Sequence, residues 1–192
     1  GRPDLYVAND LDPNRLYVNE PGGPLGFHFV EEGAAAGVAD PNAGMGVAAQ
    51  DYSGDDRPDI FVTNSRGQGH AAFQSTLGST FSNVRSVFAP AVGLATGWGA
   101  TWVDLTNDGP LDLVLANGAI PITNLKKDAA ALQILANVKG RFANVSPTVG
   151  IQSGPLVNGR GVAAADYDND GRMDVAVNSI GGRLILLHNT GA

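Results

Sequence analysis

Asp166-Tyr167-Asp168-Asn169-Asp170-Gly171-Arg172-Met173-Asp174 is the stretch on which the reading of this chain turns. Oxygen-bearing side chains stand at its positions 1, 3, 5 and 9, with glycine at position 6. A short turn needs that spacing to wrap a hard cation such as Ca²⁺, and glycine permits the left-handed bend. The pattern recurs as Asp51-Tyr52-Ser53-Gly54-Asp55-Asp56-Arg57-Pro58-Asp59 and as Asp104-Leu105-Thr106-Asn107-Asp108-Gly109-Pro110-Leu111-Asp112. A truncated copy, Gly1-Arg2-Pro3-Asp4, opens the chain and matches positions 6 to 9.

The last acid of the loop recurs at Asp4, Asp59, Asp112 and Asp174, at spacings of 55, 53 and 62 residues. Each complete loop is preceded by a Gly-x-Gly: Gly44-Met45-Gly46, Gly97-Trp98-Gly99 and Gly159-Arg160-Gly161. The small residues between that motif and the loop (Val47 to Gln50, Ala100 to Val103, Val162 to Ala165) suit a strand in a crowded place, where backbones approach closely. After each loop comes a run with little alternation, such as Ile60-Phe61-Val62 or Leu113-Val114-Leu115, as expected of a strand buried on both faces. A third run follows (Arg15 to Val18, Ala71 to Gln74, Leu132 to Leu135, Arg183 to Leu187), then a turn. A fourth run is led by an aromatic: Phe27, Phe81 and Phe142.

Repeats of this length with four short strands match the blades of a β-propeller. The expected fold is therefore all-β: a propeller segment of about four blades, two complete and two partial, with four antiparallel strands per blade. The expected blades cover roughly residues 1–38, 39–94, 95–151 and 152–192 of one unit, 1–192. The first should lack its strand 1 and the last its strand 4. The third carries an extra stretch, about Pro121 to Ala131, in which Leu125 to Leu132 is expected to form one or two helical turns. Because the ends fall mid-blade, the chain is expected to be part of a larger propeller or to be completed by a partner. A leader, if present, is expected to lie upstream.

Composition agrees. Apolar residues make up 43%, enough for a packed core, and 26 glycines are spread along the chain as turn formers. Of 19 acidic residues, 12 lie in the four loops, and three divalent ions would bring the net charge of −7 to about −1. Such a balance argues against a nucleic-acid partner. No apolar run approaches the roughly 20 residues of a membrane helix. The absence of cysteine excludes disulfides and cysteine-based zinc sites.

The loop is not an EF-hand. Position 12, where an EF-hand places a bidentate glutamate, is Val62, Leu115 or Val177, each inside a strand run. The expected calcium ligands are the side chains of Asp51, Ser53, Asp55 and Asp59; of Asp104, Thr106, Asp108 and Asp112; and of Asp166, Asp168, Asp170 and Asp174. The carbonyls of Arg57, Pro110 and Arg172 at position 7 complete three sites. The fourth loop, with four aspartates, should bind best. Ser53 and Thr106 each remove a charge and should weaken their loops, and Asp56 replaces glycine in the second. The alternative to a metal is a set of plain Asp/Asn/Gly turns.

The pattern G-x-G-x-x-x-x-D-x-[DST]-x-D-G-x-x-D followed by an aliphatic residue resembles the FG-GAP/VCBS-type repeat of integrin α-subunit propellers and many bacterial surface proteins. The linkers Tyr6 to Glu20, Phe27 to Tyr52 and Phe142 to Ile151 are most similar to the cartilage acidic protein 1-like, ASPIC/UnbV-associated branch. The resemblance implies a calcium-loop propeller that is extracellular, on the cell surface or periplasmic.

No catalytic motif stands out: there is no G-x-S-x-G, P-loop or cysteine nucleophile. His28, His70 and His188 have no ligand spacing and read as structural. Trp98, Trp102, Tyr52 and Tyr167 read as packing between blades, with sugar stacking as the alternative. The expected function is a non-enzymatic interaction or adhesion scaffold with a protein partner. The alternatives are a glycan-binding, lectin-like propeller and an accessory domain of a polysaccharide-active enzyme.

Overall fold

The computed structural model of the chain describes residues 2–151 and 156–191. Gly1 of the opening fragment and Gln152, where the last blade was expected to start, lie outside them. Fourteen strands form four antiparallel sheets among the described residues. The first sheet holds β1 (Leu5–Val7), β2 (Arg15–Pro21) and β3 (Phe27–Glu31). The second holds β4 (Gly44–Gln50), β5 (Asp59–Asn64), β6 (Ala71–Ser75) and β7 (Phe81–Asn83). The third holds β8 (Gly97–Val103), β9 (Asp112–Asn117), β10 (Gln133–Val138) and β11 (Arg141–Asn144). The fourth holds β12 (Gly159–Ala165), β13 (Asp174–Ser179) and β14 (Ile185–Leu187). Each sheet follows chain order, strand by strand, so the expected all-β, blade-like architecture with two four-stranded and two three-stranded sheets is what the chain adopts.

The Gly-x-Gly motifs lie inside the first strands rather than before them. In β4, β8 and β12 the pairing with the next strand slips across the motif, a bulge at the same place each time. The reason is close approach to the neighbouring sheet. A Cβ on Gly46 would collide with the Trp98 carbonyl oxygen of β8, and one on Gly99 would lie 2.6 Å from the Arg160 carbonyl oxygen of β12. Inner strands of successive sheets thus touch backbone to backbone at the motif's second glycine.

Apolar layers fill the gaps between sheets. Leu16, Val38, Val62 and Phe73 pack between the first and second. Tyr52, Phe61, Trp102, Leu113 and Phe142 pack between the second and third, and Val114, Ile134, Val175 and Val177 between the third and fourth. β5 and β9 are buried along their whole length, as their unbroken apolar runs require. Full burial of one such side chain, Phe61 for example, contributes roughly 2–3 kcal/mol.

Of the one or two helical turns expected over Leu125 to Leu132, a single turn forms, closed by the Asp128 N–H donating to the Asn124 carbonyl oxygen at 2.9 Å. Asn124 Oδ1 accepts the backbone N–H groups of Lys126 and Lys127 (both 3.0 Å), and Asp128 Oδ2 accepts those of Thr123 and Asn124. These side chains cap amides that have no partner at the start of a helical turn, and the segment ends after that one turn. Ala129 and Ala130 then leave it as isolated bridges to Gly118 and Val157. A helix occurs where none was expected: α1, Arg85–Val92, between the second and third sheets. It buries Phe88, Ala91 and Val92 on one face, contains Pro90 and ends at Gly93.

Candidate metal centre

All three complete loops join the first strand of a sheet to the second and share one hydrogen-bond scheme. The position 1 carboxylate folds back over the turn. Asp51 accepts the N–H groups of Gly54 (2.7 Å), Asp55 (3.1 Å) and Asp56 (2.7 Å). Asp104 accepts those of Asp108 (3.2 Å) and Gly109 (2.9 Å), and Asp166 those of Asp170 (3.0 Å) and Gly171 (2.9 Å). Burial works against the Asp51 carboxylate, but these backbone donors hold its pKa below the usual range. To present its amides inward the loop takes a left-handed residue at position 6, as expected: Asp56, Gly109 and Gly171 have φ of 63°, 99° and 86°. It takes a second at position 4, where Gly54, Asn107 and Asn169 have φ of 77°, 57° and 60°. Asparagine adopts that conformation more readily than other side chains, which accounts for its place in the third and fourth loops.

The position 9 aspartate has a second partner set. Asp59 Oδ2 accepts from Ser53 N (3.2 Å) and Oδ1 from Ser75 N (2.8 Å). Asp112 takes Leu105 N (3.1 Å) and Asn137 N (2.9 Å), and Asp174 takes Tyr167 N (3.3 Å) and Asn189 N (2.7 Å). In the truncated copy Asp4 still takes Asn19 N at 2.8 Å. This acid therefore ties its loop to the end of the third strand in the second, third and fourth sheets, and Asp4 is tied to β2 in the first. Asp59, Asp112 and Asp174 are all buried. Burial raises the pKa of Asp59 and Asp112. That of Asp174 is lowered, chiefly by the Asn189 N–H.

At position 5 the loops differ. Asp55 is held by the backbone N–H and guanidinium of Arg57, and Asp170 by those of Arg172. The third loop has Pro110 at position 7, which offers neither donor.

Only the fourth loop, among the described residues, gathers three ligand-type groups within 4.8 Å of one another. One group is Asp166, Asp168 and Asp174; the other is Asp168, Asp170 and His188. The second and third loops place their acids farther apart. Carboxylate oxygens are the donors a hard cation takes, so the set fits Ca²⁺. Sequence spacing had kept His188 apart from the loop. The fold brings its Nδ1 to 3.3 Å from Asp174 Oδ1 and 3.6 Å from Asp168 Oδ2, beside the edge-on ring of Tyr167. His188 immediately precedes Asn189, the residue that Asp174 anchors, and no local spacing signals that juxtaposition.

The other sequence candidates separate clearly. His28 is exposed, 3.8 Å from Glu20, and His70 is buried with its Nδ1 accepting from Asn64 N at 3.0 Å. Tyr52 and Trp102 stack in the core at 4.7 Å, and Trp98 lies under the Arg160 guanidinium at 3.9 Å. A cleft of about 560 Å³ beside the second loop is lined by Asp51, Gln74, Asn137 and Lys139, among others.

Repeated sheets, each with an acidic turn between its first two strands, define a class. The FG-GAP-like repeat matches residues 1–62, 51–115 and 124–177, and the chain belongs to that family. It is 29% identical over 190 residues to cartilage acidic protein 1 of Mus musculus, a match that covers 94% of this chain. The chain spans 28% of that relative's length.

Proposed function

We propose that the chain is a calcium-stabilised, non-enzymatic scaffold that presents a blade surface to a protein partner, in interaction or adhesion, on an exported or cell-surface protein. The convergence of Asp166, Asp168 and Asp174 in the fourth loop supports this reading most directly. An ion there neutralises clustered carboxylates and locks the turn between β12 and β13. The second and third loops, with Ser53 and Thr106 at position 3, act as weaker sites through the carboxylates of Asp51, Asp55 and Asp59 and of Asp104, Asp108 and Asp112, with the carbonyls of Arg57 and Pro110. Loops of this charge fill where calcium is near millimolar, which favours an extracellular or periplasmic setting. No described helix is long and apolar enough to cross a membrane.

Isothermal titration with CaCl₂ tests the reading. Asp168→Ala should abolish the tightest binding event, whereas Ser53→Ala should leave it in place. Loss of no site in Asp168→Ala would contradict the assignment. A second reading, glycan binding, rests on the cleft beside the second loop, where Gln74, Asn137 and Lys139 offer polar groups next to apolar lining. A glycan array in which Lys139→Ala and Gln74→Ala bind as the parent does would remove it.

A further inference from the structure

The donors of the fourth loop fall into two chemically different sets. Asp166, Asp168 and Asp174 offer oxygen alone, which is what a calcium ion takes. Asp168, Asp170 and His188 bring an imidazole nitrogen within 4.8 Å of two carboxylate oxygens. Imidazole is a donor for Zn²⁺ and neighbouring transition metals, not for Ca²⁺.

The imidazole stands there through a departure from the repeat. In each sheet one residue donates its backbone N–H to the position 9 aspartate: Asn19, Ser75, Asn137 and Asn189. The residue before it is Val18, Gln74, Ala136 and His188 in turn. Position 3 departs in the same loop, with Asp168 where the second and third loops have Ser53 and Thr106. Asp168 is not used to hold the turn. The amides of Tyr167, Asp170, Gly171 and Arg172 go to Asp174, Asp166 and Asp170 instead. Its carboxylate faces His188, with Oδ2 at 3.6 Å from Nδ1. Ligands at about 2.0–2.1 Å from a tetrahedral Zn²⁺ stand about 3.3–3.4 Å apart, so this pair needs little adjustment. Asp170 accepts the backbone N–H and guanidinium of Arg172, and each of its oxygens keeps a further lone pair. All three residues are exposed, so water can complete the coordination. Nδ1 also lies 3.3 Å from Asp174 Oδ1, but that oxygen is buried and already accepts from Asn189 N.

We propose that Asp168, Asp170 and His188 Nδ1 form a second metal set in the fourth loop, for a borderline divalent cation of the Zn²⁺ class. Asp168 belongs to both sets, so the loop takes one ion at a time: Ca²⁺ through oxygen alone, or Zn²⁺ through the imidazole. The competition, though not the zinc set itself, rests on the calcium reading of this loop.

Isothermal titration of the metal-free protein with ZnCl₂, and separately with CaCl₂, tests the proposal. His188→Gln should weaken the tightest zinc event at least about tenfold and leave the calcium titration within about twofold of the parent. His28→Gln, which removes the other exposed imidazole, should leave that zinc event in place. Co²⁺ bound to the parent should give a visible absorption band that His188→Gln lacks. Zinc binding that His188→Gln leaves unchanged would overturn the proposal, and would reduce His188 to an ion-pair partner of the acids. Equal loss of zinc and calcium in His188→Gln would overturn it too, since the imidazole would then only hold the acids in place. His188-dependent zinc binding in a parent that takes up no calcium would support this set and contradict the calcium reading alone.

Discussion

Asp108 and Asp112 belong to one loop and play different parts. Asp108 is exposed, whereas the Asp112 carboxylate is buried and holds the amides of Leu105 and Asn137. Removing it strands two backbone donors, at about 1–3 kcal/mol for each unsatisfied buried group. In chelator, Asp112→Ala should lose about 2–4 kcal/mol in urea unfolding, and Asp108→Ala less than about 1 kcal/mol. Equal losses would place both acids in the same role. A second residue-scale prediction concerns His70. Burial, with Arg85 adding to it, pushes its pKa down from 6.5 to about 4. The unfolded chain then binds the proton that the folded chain refuses between about pH 6.5 and pH 4. Its contribution is complete above 6.5 and is lost as the pH falls through that window, by about 3 kcal/mol in all. His70→Gln should flatten the pH dependence of unfolding between pH 4.5 and 6.5; an unchanged slope would assign it to other groups.

At the scale of elements, Gly46 and Gly99 set how closely first strands stack. Gly99→Ala drives a methyl group against the backbone of Arg160 and Val162, which cannot retreat without separating β8 from β12. It should cost at least about 3 kcal/mol, whereas Ala100→Gly, one residue on, should cost no more than about 1 kcal/mol. Comparable losses at the two positions, read by thermal melting, would remove backbone contact as the reason for the motif. These strands and loops were legible because their determinants are local: small residues crowd one strand, and nine residues define each turn. α1 was not. It is eight residues long and interrupted by Pro90, and its apolar face has meaning only against a distant strand. Phe88 stacks on Phe142 at 4.3 Å and meets Tyr52 edge-on at 5.5 Å. The spacing of Phe88, Ala91 and Val92 is the one signal that pointed to it. Phe88→Ala should cost about 3–5 kcal/mol, as for a core aromatic, and a loss under about 1 kcal/mol would show α1 to be peripheral.

At the scale of the whole molecule, four sheets are held by three apolar layers, and the acidic loops recur at one end of every second strand. Repetition made this arrangement readable in advance, down to three strands in the first and last sheets and four in the middle two among the described residues. What repetition cannot convey is where the copies differ in space. The convergence of Asp168 with His188 occurs in the fourth loop alone among the described residues, and the arginines that clasp Asp55 and Asp170 are shared by two loops but replaced by Pro110 in the third. We propose that these loops hold calcium and that the sheets depend on it. Thermal melting in about 5 mM calcium and in excess chelator tests that claim most directly, since an ion bound only to the folded chain stabilises it by mass action. The predicted result is a melting temperature at least about 5 °C higher with calcium, reduced by Asp166→Ala more than by Asp51→Ala. Superimposable melting curves in the two media would contradict it.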